Sequence, residues 1–258
     1  MRGLPLVPTS RRPRLSRASA WPSPIREVHL ITPGWSGAPL WERSLASDHA
    51  RVSIEPAVRR YRPDDRPALD DICIRTGHQG GDARELYTDP ALLSTIFAAP
   101  YAEMEPELTF VLDDGTGRAV GYVLGTADTP RFADRFRDEW LPQVTGRYPV
   151  PTEAPTTPTE IMVMLLHHPE RMVRPGLAEY PAHLHIDLLP EWQGRGFGRA
   201  LMHRFLDELH GRGVPAVHLS MVTANVKARA FYDRLGFREL DVPDPATVTY
   251  LGRSTARD

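Results

Sequence analysis

The chain has 258 residues, 41% of them hydrophobic, enough for one good core with extensions, and its formal charge of −2 gives no reason to expect a nucleic-acid partner. No apolar run reaches the length of a membrane span, and the single cysteine, Cys73, excludes disulfide scaffolds and cysteine-rich zinc sites and points to a reducing cytoplasm. Lys227 is the sole lysine among many arginines; with abundant Pro and Ala, that bias reads as genomic base composition rather than function.

Residues 1–51 differ from the rest. The opening "MRGLPLVPTSRRPRLSRASAWPSP" carries five arginines, several prolines and serines, and no acidic residue before Glu27, a composition that cannot bury a core. It resembles an organellar transit peptide in composition, whereas a twin-arginine export signal at Arg11-Arg12 fails for want of an apolar region after the pair. A disordered extension over residues 1–51, or a start codon placed too early, is the expectation, with one folded domain over 52–258.

From there strands and helices alternate. "AVRRYR" reads as a short first strand, and Asp64 or Asp65 can cap a helix in which Leu69, Ile72, Cys73 and Thr76 share a face before Gly77 stops it. Cys73 sits inside that apolar stripe and reads as a small buried hydrophobe rather than a nucleophile. "LTFVLDDGTGRAVGYVLG" predicts a hairpin turning at Asp114-Gly115-Thr116-Gly117. Helical spacing at Phe132, Phe136, Trp140 and Leu141 is followed by a Pro/Thr-rich loop and a short helix around Ile161 to His167. The remainder predicts a strand from Ala182, a glycine turn, a helix, the strand "AVHLSMV", the helix "NVKARAFYDRLGF", and closing strands near Phe237 to Leu240 and Thr247 to Leu251. The pattern is that of a mixed α/β domain without internal repeats.

Most informative is "LHIDLLPEWQGRGFGRALMHRFLDEL". Leu184, Ile186 and Leu188 point to one side of a strand, His185 and Asp187 to the other, and Phe197, Leu201, Phe205 and Leu209 then line one helix face. Glycines at such a strand-to-helix junction let a ligand approach the backbone, and the free N–H groups of the first turn favour a phosphate. A dinucleotide fingerprint would need glycine at Arg199, and a P-loop would need Gly-Lys followed by Ser or Thr; neither is present.

What fits is Q-x-x-G-x-G, written as Gln193, Gly196 and Gly198. It resembles the acyl-CoA loop of the GNAT superfamily of N-acetyltransferases. "MVTANVKARAFYDRLGFREL", with Asn225, Ala228, Phe231-Tyr232 and Gly236-Phe237, resembles the superfamily's other signature at matching distance and order. Within the superfamily, "YPAHLHIDLLPEWQGRGFG" and "RTGHQGGDARELYTDPALL" look most like bacterial relatives of the acetyltransferase-like domain at the C-terminus of protein O-GlcNAcases. Some members of that group have lost cofactor-binding residues; here Gln193, Gly196 and Gly198 are all present.

The resemblance implies an acyltransferase fold, a central, mostly antiparallel twisted sheet flanked by helices, and acetyl-CoA as co-substrate. It places acetyl-CoA against Leu188, Gln193, Gly194, Arg195, Gly196, Phe197, Gly198, Arg199, Asn225 and Tyr232. The Leu188 backbone N–H matches the oxyanion-stabilising donor, and Tyr232 the general acid toward the CoA sulfur or else a structural hydroxyl. A base must also deprotonate the amine near pH 7, and Asp187 is the first choice.

His183 and His185 share the Asp187 face; His-x-His on a strand can hold zinc, yet no third ligand is evident, and solvent- or substrate-facing histidines are the commoner case. His218 and Ser220 alternate on the next strand and could line the acceptor side, while His167-His168 receives no role. The expected partner is a small-molecule or peptide amine, its pocket built from the Gly77 to Pro90 loop and residues 148–181, with no nucleic acid, no membrane and no oligomeric state indicated. A non-catalytic acyl-CoA-binding or partner-binding domain is the alternative.

Overall fold

Residues 55–243 and 247–256 are described in the computed structural model, so the expected extension over residues 1–51 lies outside the described residues. The first strand, β1 (Ala57–Arg60), is fastened by Arg59, whose guanidinium makes paired hydrogen bonds to Asp65 at 2.7 and 2.8 Å and a third, from Nε, to Asp113 at 2.7 Å. That bidentate fork ties the strand to its neighbour and to the turn before the first helix. Asp65 therefore serves the corner: it precedes α1 (Arg66–Thr76), as the sequence predicts, but its carboxylate accepts from Arg59 and the Arg62 N–H and does not cap the helix. Leu69, Ile72, Cys73 and Thr76 form the buried face of α1, at the i, i+3, i+4, i+7 spacing of a helix packed on a sheet.

Two short helices follow, α2 (Ala91–Phe97) and α3 (Ala99–Met104). The predicted hairpin forms from β2 (Phe110–Asp113) and β3 (Ala119–Thr126), where Asp113 accepts the Gly115 and Gly117 N–H groups and holds the turn. The long helical stretch runs as α4 (Thr129–Arg135), a π-helical turn at Phe136–Trp140, and α5 (Leu141–Val144), with the Trp140 indole donating to the Thr95 carbonyl. In α6 (Pro158–Leu166), Thr157 and Glu160 complete a capping box. The chain then builds β4 (Ala182–Leu188), α7 (Phe197–Gly211), β5 (Ala216–Val222), α8 (Val226–Asp233), β6 (Arg238–Glu239) and β7 (Val248–Ser254).

Among the described residues one seven-stranded sheet in the order β1-β2-β3-β4-β5-β7-β6 joins them, antiparallel throughout except between β4 and β5. On β3 and β4 the face carrying Tyr122, Leu124, His183, His185 and Asp187 meets α1 and α3, and the opposite face meets α7. Gly125 lies on that second face: a Cβ there would sit 2.1 Å from the His183 carbonyl and 2.7 Å from Phe205 of α7, so only glycine lets helix and strand approach this closely. Among the described residues no helix is long and apolar enough to cross a membrane.

Candidate active site

The sheet opens in its middle. Strands β4 and β5 pair at Ala182↔Val217 and His183↔His218 and then separate, while β4 keeps its pairing with β3 through Leu188. Neighbouring residues of a strand direct their main-chain groups to opposite edges. The Leu189 N–H donates to the Val120 carbonyl on β3, so the N–H and C=O of Leu188 point the other way, into the split. The carbonyl is engaged by the Gln193 side-chain amide at 2.8 Å. The Leu188 N–H faces the stretch where β4 has no pairing with β5.

At the mouth of the split lies the glycine turn. Gly194 and Gly196 take left-handed φ values of 69° and 88°, and a Cβ on either would meet nothing within 4 Å, so backbone conformation rather than crowding selects glycine and leaves the turn open. Gly196 is the N-cap of α7, whose first N–H groups are the pole attractive to an anion. Exposed Arg195 stacks over Trp192 and Phe197, 4.8 and 5.2 Å from the ring centroids. Neither Arg195 nor Arg199 has a carboxylate partner among the described residues, leaving two unneutralised cations at the turn. Gly198 is small for the sake of packing: a Cβ there would lie 3.2 Å from Phe231, so its lack of a side chain brings α7 against α8.

Two residues that the family resemblance assigns to acetyl-CoA have intramolecular bonds. Gln193 braces the loop against Leu188, and Asn225 caps α8, its side-chain oxygen accepting from the Ala228 N–H at 3.1 Å. Tyr232, 9% exposed, packs edge-on against Phe231 and Phe237. Its hydroxyl has no protein partner among the described residues and is not sealed from solvent. Burial, with a contribution from the Asp187 carboxylate, raises its pKa and keeps it protonated. The two residues expected to carry the chemistry thus lie within electrostatic reach of each other.

Asp187 accepts from the Tyr122 hydroxyl at 2.7 Å. Burial raises its pKa to about 6, against the opposing effect of the hydrogen bond from Tyr122. Cys73, on the neighbouring helix, is buried, and its thiol pKa is pushed up by that burial and by Asp187, as befits an inert core residue.

The histidines enter a hydrogen-bonded chain. His183 is 7% exposed. Its Nδ1 lies 2.8 Å from the Thr129 hydroxyl and its Nε2 2.7 Å from the Tyr101 hydroxyl. Thr129 also donates to the Pro181 carbonyl, which can only accept, so the direction of the whole chain is fixed: His183 Nδ1–H donates to Thr129, Tyr101 donates to His183 Nε2, and His185 Nε2–H donates to Tyr101 at 3.2 Å. Burial lowers the pKa of both histidines, that of His185 to about 4, so both are neutral near pH 7. Tyr101 lies 84 residues from His185, on α3, to which the sequence pattern assigns no element. No local pattern announces that pairing.

The profile of the Acetyltransferase (GNAT) family matches residues 162–237. The crystal structure of SsHAT is 66% identical, with a TM-score of 0.77, and the superposition covers 79% of this chain and 100% of that one. Protein O-GlcNAcase of Rattus norvegicus is 25% identical over 201 residues, 76% of this chain and 22% of its own length, in keeping with the O-GlcNAcase likeness read from the sequence. This chain therefore spans less than a quarter of that relative. The [Ribosomal protein bS18]-alanine N-acetyltransferase of Escherichia coli K12 is 39% identical over 67 residues, 26% of this chain and 45% of the relative. With the split sheet and the glycine turn in place, the chain belongs to the GNAT family of acetyltransferases.

Proposed function

We propose that the protein is an acetyl-CoA-dependent N-acetyltransferase that moves the acetyl group to a primary amine by direct attack in a ternary complex, in the reducing cytoplasm that its single cysteine suggests. The observation that carries this reading is the unpaired edge of β4, which runs past an open Leu188 N–H into a turn of left-handed glycines at the N-terminus of a 15-residue helix. Such a site fits acetyl-CoA: a strand edge for the pantetheine amides and a helix pole for the pyrophosphate.

Bound there, acetyl-CoA supplies an acyl group activated as a thioester. The N–H groups of residues 194–198 hold the pyrophosphate, with Arg195 and Arg199 beside it; Gln193 keeps the turn docked on Leu188, and Asn225 keeps α8 in place. The Leu188 N–H donates to the carbonyl oxygen as negative charge gathers on it. Asp187, ionised near pH 7 with a pKa of about 6, takes the amine proton directly or through water, and the Tyr232 hydroxyl gives a proton to the departing sulfur. Direct attack rather than an acetyl-enzyme follows from Cys73, whose buried thiol cannot act as a nucleophile.

A relative named for acetylating an alanine supports an amine acceptor. Calorimetry with acetyl-CoA, followed by a thiol-release assay against a panel of amines, tests the reading. Saturable binding and amine-dependent release are expected. Binding without turnover on any amine would leave a non-catalytic acyl-CoA-binding domain.

A further inference from the structure

At the closed end of the split, where β4 and β5 last pair, a cavity of about 90 Å³ is lined by residues including Phe97, Tyr101, Arg171, His185, Ser220 and Tyr250. It has room for a few water molecules or the polar head of a small solute. Two of its walls carry unused hydrogen-bonding capacity. Arg171, whose charge burial opposes, donates from Nε to the Leu165 carbonyl at 3.2 Å; its two terminal nitrogens make no hydrogen bond and no ion pair among the described residues. Most other arginines on the described surface lie against a carboxylate. His185 has its Nε2–H committed to Tyr101 by the directed chain that ends at the Pro181 carbonyl, so its Nδ1 is a lone pair without a protein donor, and it is not sealed from solvent.

We infer that this cavity seats an acceptor amine that itself carries a carboxylate, a small amino-acid-like substrate, with the carboxylate on the Arg171 guanidinium and the amine donating to His185 Nδ1. The planar fork of arginine matches a carboxylate in two parallel bonds, and a group that can only accept on the other wall suits an amine. The inference rests on the acetyltransferase reading for its chemistry, but the binding site stands on the cavity alone.

Paired acceptors test it: free amino acids against their amides, which share the amine and lack the carboxylate. With acetyl-CoA present, kcat/KM should favour the carboxylates, and Arg171→Gln should erase that preference by raising KM for the carboxylates by roughly 10- to 100-fold and for the amides much less. The more conservative Arg171→Lys, which keeps the charge and loses the fork, should recover part of it. Equal rates for acids and amides in the wild type, or an Arg171→Gln variant with the preference intact, would overturn the inference and leave the transferase standing. Should acetyl-CoA fail to bind, it is the transferase reading that falls; calorimetry of the unloaded protein with the same pairs then decides the cavity's role. Heat from the acids alone, lost in Arg171→Gln, upholds the site, whereas equal or absent heats for acids and amides reject it.

Discussion

Tyr122 donates its hydroxyl hydrogen to Asp187 across adjacent strands at 2.7 Å, yet the carboxyl pKa still rises from 3.8 to about 6, because burial outweighs that bond. A folded pKa above the unfolded one means that the native state holds the proton more tightly, so this group's contribution to stability is greatest at low pH and declines as pH rises from about 4 to 6. Asp187→Asn keeps an acceptor for Tyr122 and removes the half-buried charge. Its melting temperature should exceed that of the wild type at about pH 7.5, and the gain should vanish near about pH 4. A variant less stable than the wild type at neutral pH would show that the charge is compensated by something other than Tyr122.

The same substitution separates stability from chemistry. With Asp187 as the base, wild-type turnover should fall as pH drops through about 6, and Asp187→Asn should show a low, flat acidic limb. His185, neutral down to about 4, adds no inflection in that range. An unchanged limb in the variant would move the base elsewhere.

Gly196 and Gly198 look alike in the motif and should fail differently. At Gly196, with φ of 88° and open space around it, Gly196→Asp should cost about 1–2 kcal/mol of backbone strain and abolish acetyl-CoA binding by placing a negative side chain at the helix pole. Gly198→Val should push against Phe231 and cost about 1–3 kcal/mol of stability, seen first as a lower melting temperature. Calorimetry and thermal denaturation on both variants distinguish the two roles.

Tyr232→Phe removes a hydroxyl that has no protein partner among the described residues, so neither stability nor acetyl-CoA affinity should change much. Turnover should fall roughly 10²-fold or more if that hydroxyl protonates the leaving sulfur. Full activity in the variant would assign the tyrosine to packing against Phe231 and Phe237.

The elements with regular periodicity were legible in the sequence. Leu69, Ile72, Cys73 and Thr76 announced the buried face of α1, and the glycine cluster announced a turn leading into α7, because short-range spacing dictates both. Less visible were α2 and α3, separated at Ala98 and each shorter than two full turns. Long-range partners left no local trace: nothing around His183 encodes Tyr101, and nothing around Arg171 encodes the cavity it shares with β4. Gln193 and Asn225 fit a ligand-binding motif by position, yet their side chains answer to Leu188 and Ala228, because a motif fixes residue type and spacing but not which hydrogen bond a side chain makes.

The register between β4 and β5 has a mechanical consequence. Two pairs, Ala182↔Val217 and His183↔His218, stitch a four-stranded half-sheet to a three-stranded one, so the molecule has a seam with few rungs. Amides beyond those rungs should exchange with solvent faster than those of β3, which is flanked by partners along its length. A ligand lying along the edge of β4 would act as the missing strand. It should slow exchange on both banks and raise the melting temperature by linkage, about 2.7 kcal/mol at a hundredfold excess over Kd.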